Sequence, residues 1–173
     1  MRRIWAVRIF AIAGVLALAF TTATADEGTT SFSTSMTGFQ EMPPILSNGS
    51  GTFHATVNGD SLTYTESFAG LTSNVTQSHI HFAERSVAGS FFVFLCTNLG
   101  NGPAGTPACP AAGGTVTGTV TAANVLGVPG QNISAGDFAA LLRILRSGDA
   151  YVNVHSVKFP AGEIRGQVRA GED

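Results

Sequence analysis

The chain of 173 residues is 44% hydrophobic and 12% charged, and its formal net charge is −2. Its nine basic and eleven acidic residues are spread thinly. This argues against nucleic acid or an anionic membrane as a partner, because both require concentrated lysine and arginine. The sequence also contains no motif of serine hydrolases, nucleotide-binding enzymes or zinc proteases. It therefore indicates no enzyme class, although it leaves an enzymatic activity open.

The first 25 residues are predicted to be a removable secretory signal. Residues 1–8 are basic without an acid, residues 9–20 are apolar, and residues 23–25 read Ala-Thr-Ala, a small-residue cleavage site. The apolar run is shorter than the ~20 residues that a membrane helix needs. We therefore expect a secreted or periplasmic protein whose mature chain, residues 26–173, forms one domain without a membrane span. That chain keeps six basic and eleven acidic residues, a net charge of −5.

Most of the mature chain alternates between apolar and polar residues, with the period of half-buried strands. Residues 52–57 put Phe53 on one face and His54 on the other, where we expect solvent. The turn sequence of residues 58–60 then leads into a return strand over residues 62–68. Further strands are predicted near residues 30–38, 75–82, 91–96, 114–121, 151–157 and 163–169.

The strand near residues 91–96 differs from the others because neither of its faces is polar. Five apolar residues follow one another from Phe91 to Leu95. A strand with this pattern is covered on both sides, so we expect it in the centre of the sheet.

The two cysteines, Cys96 and Cys109, both lie in the exported part of the chain. Outside the cytoplasm an even pair favours a disulfide. The bond would close the loop of residues 97–108 and stabilise the fold by roughly 3 kcal/mol. Metal binding or redox chemistry is the weaker alternative, because the sequence has no Cys-x-x-Cys motif.

One segment departs from the strand pattern and predicts an amphipathic helix over about residues 135–147. Ser134 and Asp137 have the spacing of a capping box, and Gly148 is suited to end the helix. The apolar positions recur at helical spacing: Phe138, Leu141, Leu142 and Leu145. The whole pattern indicates an all-β antiparallel sandwich with one short helix packed on it.

Two segments have polar strand faces that are candidates for chemistry. His79 and His81 are two residues apart, so their imidazoles share one face of a strand. Tyr151, Asn153 and His155 share a face of a later strand in the same way. Farther on, the same alternation places Glu163, Arg165 and Gln167 on one side.

These segments resemble the CHRD domain family, named after chordin. The resemblance rests on His79-Ile80-His81, on the Tyr-Val-Asn-Val-His sequence of residues 151–155 and on the Pro-Ala-Gly-Glu-Ile-Arg-Gly-Gln sequence of residues 160–167. The Gly-Phe-Gln-Glu-Met-Pro-Pro segment within residues 36–44 also resembles the start of the family pattern. The likeness covers about residues 32–169. It implies an immunoglobulin-like or sandwich fold and no established catalytic activity.

Two interpretations of the histidines remain open. In the first and leading one, they form a structural polar network that Asn153, Glu163 and Arg165 complete. In the second, His79, His81 and His155 bind copper or zinc. Three residues could then supply a fourth ligand or a supporting hydrogen bond: Tyr151, Asn153 and Glu163.

The leading prediction of function is a non-enzymatic binding or structural module outside the cytoplasm. Its ligand is not identified and would be extracellular or periplasmic, for instance another protein. The alternative is a metal-binding sandwich protein with redox activity at the three histidines. The sequence marks no nucleophile beside these groups, which weighs against an acid–base enzyme.

Overall fold

The computed structural model of the protein describes residues 30–171. The predicted signal, residues 1–25, lies outside this range. The strands are β1 (Ser31–Thr37), β2 (Ser50–Asn58), β3 (Ser61–Ala69), β4 (Val75–Phe82), β5 (Phe91–Thr97), β6 (Gly114–Val120), β7 (Ala150–Ser156), β8 (Ile164–Gln167) and β9 (Arg169–Ala170), and the helix is α1 (Phe138–Ser147). Over residues 30–171, the chain has no helix with the length and apolar character needed to span a membrane.

The strands form one antiparallel sheet in the order β5-β4-β7-β8-β1-β2-β3-β6, and β9 pairs with β1. This nearly closed sheet wraps around an apolar core, and α1 packs beside β7 and β9. The all-β sandwich- or barrel-like fold with one short helix is therefore confirmed. The core includes Phe32, Phe53, Leu62, Phe92 and Val152.

The β2–β3 hairpin follows the predicted alternation. Phe53 and Ala55 are buried, whereas Thr52, His54 and Thr56 are exposed. His54 thus lies in solvent, as its place on the polar face predicted.

β5 is covered on both faces as predicted, but its predicted central position is wrong. Residues 92–96 are buried, yet β5 ends the strand order and pairs with β4. The loop after β6 occupies its other edge, where the Leu126 N–H donates to the Phe92 carbonyl at 2.8 Å. The side-chain oxygen of Gln131 accepts from the Ser90 N–H at 3.2 Å. Apolar residues on both faces indicate that neither face is exposed to solvent. They do not indicate what lies along the edges of the strand, and here a loop pairs with one edge.

The helix begins later than predicted, at Phe138 instead of about residue 135. Asp137, and not Ser134, is its N-cap, and the Asp137 carboxylate accepts from the Ala140 N–H at 2.8 Å. Gly136 has a φ of +81°, a left-handed conformation that cannot belong to a right-handed helix. At the other end Gly148 is the left-handed C-cap, as predicted.

Cys96 and Cys109 form a disulfide across the loop that follows β5. Both residues are buried. The Asn98 side chain reinforces the same loop, because it donates to the Cys109 carbonyl at 3.1 Å and accepts from the Cys109 N–H at 3.0 Å. The covalent bond and these hydrogen bonds together hold an otherwise irregular segment against β4 and β5.

One carboxyl group, that of Glu66 in β3, lies inside the core and is fully buried. The Ser78 hydroxyl donates to Glu66 Oε1 at 2.6 Å, while Glu66 Oε2 has no hydrogen-bond partner among the described residues. Burial raises the pKa of Glu66 to about 8 because a charge is poorly solvated there. The group is therefore mostly protonated at neutral pH.

Candidate functional site

Strands β4 and β7 bring three histidines together on one side of the sheet. Ile80 of β4 and Val152 of β7 are buried in the core, so the residues that alternate with them face the opposite way. The strands pair directly, with His79 opposite Asn153 and Gln77 opposite His155. One ring nitrogen from each of His79, His81 and His155 then lies within 4.8 Å of the others.

The hydrogen bonds of the cluster leave ring nitrogens without partners. His81 Nδ1 lies 2.9 Å from the Gly89 carbonyl and His155 Nδ1 lies 2.9 Å from the Pro160 carbonyl. A carbonyl only accepts, so both Nδ1 atoms carry the proton and both Nε2 atoms are bare, that is, unprotonated. His79 Nδ1 lies 3.1 Å from His155 Nε2 and donates to it. The Nε2 atoms of His79 and His81 are buried and have no partner among the described residues.

Aromatic rings enclose the cluster. Phe91 stacks on His79 with 4.2 Å between ring centroids, and Phe94 meets the same imidazole edge-on at 4.5 Å. Tyr151 stacks on His81 at 4.5 Å. Phe91 is itself partly exposed, so one aromatic side chain separates His79 from solvent.

This enclosure keeps the imidazoles neutral. Burial lowers the pKa of His79 to about 2, with further lowering by the neighbouring His155 and His81. Burial also lowers the pKa of His81 to about 4, against the opposing effect of its hydrogen bond to Gly89. The pKa of His155 is lowered by burial as well. Neutral imidazoles have the lone pairs that a metal ion requires.

Beside the histidines, Asn153 forms a pair with a residue that sequence reasoning had not singled out. Asn153 Nδ2 donates to Glu41 Oε1 at 2.5 Å, and both residues are buried. Burial raises the pKa of Glu41 to about 7, although the nearby Arg165 lowers it. Glu41 belongs to the segment of residues 36–44, which had been matched as a motif. Its place in that motif was the sequence signal for Glu41, but the motif did not indicate a contact with Asn153.

Tyr151 and Arg165 extend the stack that begins at His81. The guanidinium carbon of Arg165 lies 3.5 Å from the centroid of the Tyr151 ring. Arg165 Nη2 also donates to the Glu84 carbonyl at 3.1 Å. The Tyr151 hydroxyl contacts the backbone of Gly89, which also accepts from His81.

Glu163 does not join the histidines, and its predicted place in their network is wrong. Its carboxylate accepts from the hydroxyls of Ser47 and Ser156 at 2.6 and 2.5 Å, and from the Thr72 N–H at 2.8 Å. Strand β8 begins only at Ile164, and Gly162 has a φ of +130°. The two-residue alternation therefore does not extend back to Glu163, which instead binds the loops that contain Ser47 and Thr72.

The cluster suits a transition metal ion bound by nitrogen. Two nitrogens bound at about 2.0–2.1 Å to one tetrahedral zinc ion are about 3.4 Å apart. The present spread of up to 4.8 Å would therefore have to shrink by about 1.4 Å at most when the metal binds. His81 and His155 would offer Nε2, and the carbonyls at Nδ1 would orient each ring, as is common for metal-binding histidines. His79 would bind through Nε2. It could bind through Nδ1 only after losing its hydrogen bond to His155 and the Nδ1 proton.

Comparison with known proteins gives one family. The family model described as CHRD domain matches residues 32–168. No curated protein matches the chain. The matched region contains Glu41, all three clustered histidines and Arg165.

Proposed function

The chain belongs to the CHRD domain family, and on this premise we propose that it is a non-enzymatic, exported module that binds a transition metal ion. The ligands in this proposal are His79, His81 and His155. The single observation that carries it is the pair of bare, buried Nε2 atoms on His79 and His81 within a cluster of three imidazoles. Buried acceptors without a partner are costly unless a ligand satisfies them.

The donor set indicates the class of metal. Three neutral imidazoles suit zinc and copper, whereas calcium and magnesium prefer oxygen ligands. A site with three protein ligands keeps an open position that a water molecule or another ligand can fill. The aromatic rings of Phe91, Phe94 and Tyr151 exclude most solvent. Such a shell strengthens the interactions of a bound ion with its ligands.

The second candidate is a structural network of hydrogen bonds without a metal. The bond from His79 to His155 and the two carbonyl contacts favour it. A polar network stabilises a fold when all its members are paired. The Nε2 atoms of His79 and His81, which have no partner in the part of the chain that the structure describes, are therefore the reason to rank metal binding first.

Export rests on a different set of observations. The basic, apolar and small-residue segments of residues 1–25 have the order of a secretory signal. A disulfide such as Cys96–Cys109 is usual in oxidising compartments. Expression in a host with a secretory pathway, followed by N-terminal sequencing, tests this part: a mature chain that starts at Asp26 is expected. Retention of Met1 on all of the folded protein would contradict export.

The decisive experiment for metal binding uses the mature protein, residues 26–173, refolded with its disulfide formed. The protein is stripped with a chelator, loaded separately with Zn²⁺ or Cu²⁺, desalted and analysed for metal content. The expected result is one equivalent of metal. The His79→Ala/His81→Ala variant should hold almost none.

His54→Ala is the matched control, because His54 is an exposed histidine of the same domain. It should retain the full equivalent. Circular dichroism and a melting curve show whether the double variant is folded, and the single variant His155→Gln provides a milder change. If the wild-type protein takes up no metal, or if His54→Ala loses as much as His79→Ala/His81→Ala, the metal proposal is wrong and the structural network stands.

A further inference from the structure

A second candidate site lies next to the histidines, on the far side of the Tyr151 ring. It is a cavity of about 120 Å³ between the segment that follows β1 and the loop that follows β4. Two arginines, a glutamate, a glutamine and two apolar side chains contribute to its wall: Arg85, Arg165, Glu41, Gln167, Phe39 and Met42. None of these residues is a proposed metal ligand.

The two arginines make the cavity attractive to an anion. Arg165 is only 2% exposed, and one of its nitrogens is engaged by the Glu84 carbonyl. A guanidinium has five N–H donors, so within residues 30–171 most of the Arg165 donors are left for another partner. Burial lowers the pKa of Arg165, and the nearby Arg85 lowers it further by charge repulsion, whereas Tyr151 and Glu41 act in the opposite direction. An anion between two like charges would relieve that repulsion, and a carboxylate matches the fork of a guanidinium.

The wall also offers acceptors. Gln167 Nε2 donates to the Ala83 carbonyl at 2.9 Å and to the Gly148 carbonyl at 2.8 Å. These two bonds fix the orientation of the amide, so Gln167 Oε1 remains as an acceptor. That oxygen is buried and has no partner among residues 30–171. Gln167 Oε1 and the Glu41 carboxyl are both acceptors, so a fitting ligand would donate hydrogen bonds as well as carry negative charge.

The rim of the cavity is apolar. Phe39 is 67% exposed and Met42 is 45% exposed, and both lie in the segment that contains Glu41. Inorganic phosphate or sulfate would leave these side chains without contacts. A small organic ligand would cover them with its carbon atoms.

We propose that this cavity binds a small monocarboxylate that carries a hydrogen-bond donor on the carbon next to the carboxylate, namely an α-hydroxy or α-amino acid. Arg165 and Arg85 hold the carboxylate. Gln167 Oε1 and Glu41 accept from the hydroxyl or ammonium group. Phe39 and Met42 contact the remaining carbon atoms, and the small volume limits the ligand to a few of them.

The test is isothermal titration calorimetry of metal-free mature protein with lactate, L-alanine, propionate and sulfate. We expect lactate or alanine to bind with millimolar affinity, which is ordinary for so few atoms. Propionate lacks the donor and should bind about tenfold more weakly, because Gln167 Oε1 stays unpaired. The relative affinities of lactate and alanine identify the hydroxyl or the ammonium as the preferred donor.

Variants locate the site and separate it from the metal proposal. Arg85→Ala should weaken binding about fivefold or more, since it removes one exposed charge from the cavity wall. Arg143→Ala is the control, because Arg143 is an exposed arginine on the helix, and it should bind like the wild type. Because the titrations use metal-free protein, their result does not depend on whether the three histidines bind metal.

Any one of four outcomes would overturn the inference. The first is that none of the four compounds binds, and the second is that sulfate alone does. The third is that Arg85→Ala and Arg143→Ala weaken binding equally, which would indicate general attraction to positive charge. The fourth outcome concerns Arg165→Lys, which keeps the positive charge but loses the bidentate geometry of the guanidinium. This variant should bind the carboxylate more weakly, and unchanged affinity would contradict the assignment.

Discussion

His79 Nδ1 lies 3.1 Å from His155 Nε2, and this contact joins two imidazoles that are 76 residues apart in the chain. It exists because β4 and β7 are neighbours in the sheet. His79 can donate to His155 because the Pro160 carbonyl holds the proton of His155 on its other nitrogen. One backbone carbonyl thus sets the protonation pattern of two rings.

The first prediction concerns that pattern. In the metal-free protein at neutral pH, His81 and His155 should carry the proton on Nδ1 and have a bare Nε2, because each Nδ1 faces a carbonyl. Nitrogen–proton NMR correlations of the imidazoles distinguish the two tautomers directly. Addition of Zn²⁺ should shift the Nε2 resonances of both rings. Finding His155 protonated on Nε2 would refute the arrangement. The exposed His54 is the reference, because its resonances should not shift when Zn²⁺ is added.

The second prediction is that the buried histidines destabilise the metal-free fold in acid. In the unfolded chain a histidine takes up a proton near pH 6.5, whereas burial lowers the pKa of His81 to about 4 and that of His79 to about 2. The unfolded state therefore binds more protons below pH 6.5. The stability contribution of each neutral imidazole is fully present above that pH and is lost as the pH falls through this window, by up to about 1.4 kcal/mol per pH unit per group.

Urea unfolding of His81→Gln and of wild-type protein between pH 4.5 and pH 7 measures this effect. The difference between the two free energies of unfolding should change with pH, whereas His54→Gln should follow the wild type. Glu41 and Glu66 act with the opposite sign in part of this range, because burial raises both pKa values. Both proteins contain Glu41 and Glu66, so the effects of these groups cancel in the difference between the free energies of unfolding of His81→Gln and wild type. That difference is therefore the quantity to compare. Parallel curves for His81→Gln and wild type would refute the prediction.

The sheet could be predicted from the sequence because its signals are local. Alternation in β2 and β3 determines which side chains are buried, and Phe53 and His54 take the predicted faces. The shared face of His79 and His81 follows from the same period, and so does that of Asn153 and His155. Strand order is not local, which is why the prediction for β5 was wrong. Its two apolar faces do not indicate whether a strand or the Leu126 loop lies along its second edge.

The errors at the site have a similar cause. Glu163 was assigned to the face of Arg165 by counting in steps of two, but Gly162 interrupts the strand geometry before Ile164. Glu41 was missed because its partner Asn153 is 112 residues away. No sequence period connects them. A contact of this kind emerges only when β1, β8 and β7 are placed side by side.

The third prediction concerns the disulfide. Replacement of both Cys96 and Cys109 by serine should lower the free energy of unfolding by roughly 3 kcal/mol, since the open chain gains the entropy of the loop between them. Urea unfolding of the variant against wild type measures this loss. Titration of the denatured, unreduced wild-type protein should find no free thiol. Two titratable thiols, or a variant as stable as the wild type, would show that the bond does not contribute.

The fourth prediction is that Glu66 makes the fold less stable as the pH rises. The ordinary pKa of this carboxyl is 4.5, and burial raises it in the folded protein to about 8. Between these values the folded state binds the proton and the unfolded state does not. The contribution of the protonated group is therefore fully present below the unfolded pKa and is lost as the pH rises through about 8, by up to about 1.4 kcal/mol per pH unit.

Glu66→Gln removes this titration and keeps a side-chain oxygen that can accept from Ser78. Compared with wild type, the variant should gain relative stability steadily between pH 5 and pH 8.5 in urea unfolding. Glu84→Gln is the matched control, because Glu84 is exposed, and its difference from wild type should not change with pH. If the Glu66→Gln difference is equally flat, the buried carboxyl is ionised in the folded protein. Glu66 Oε2 would then need a partner that Ser78 alone does not provide.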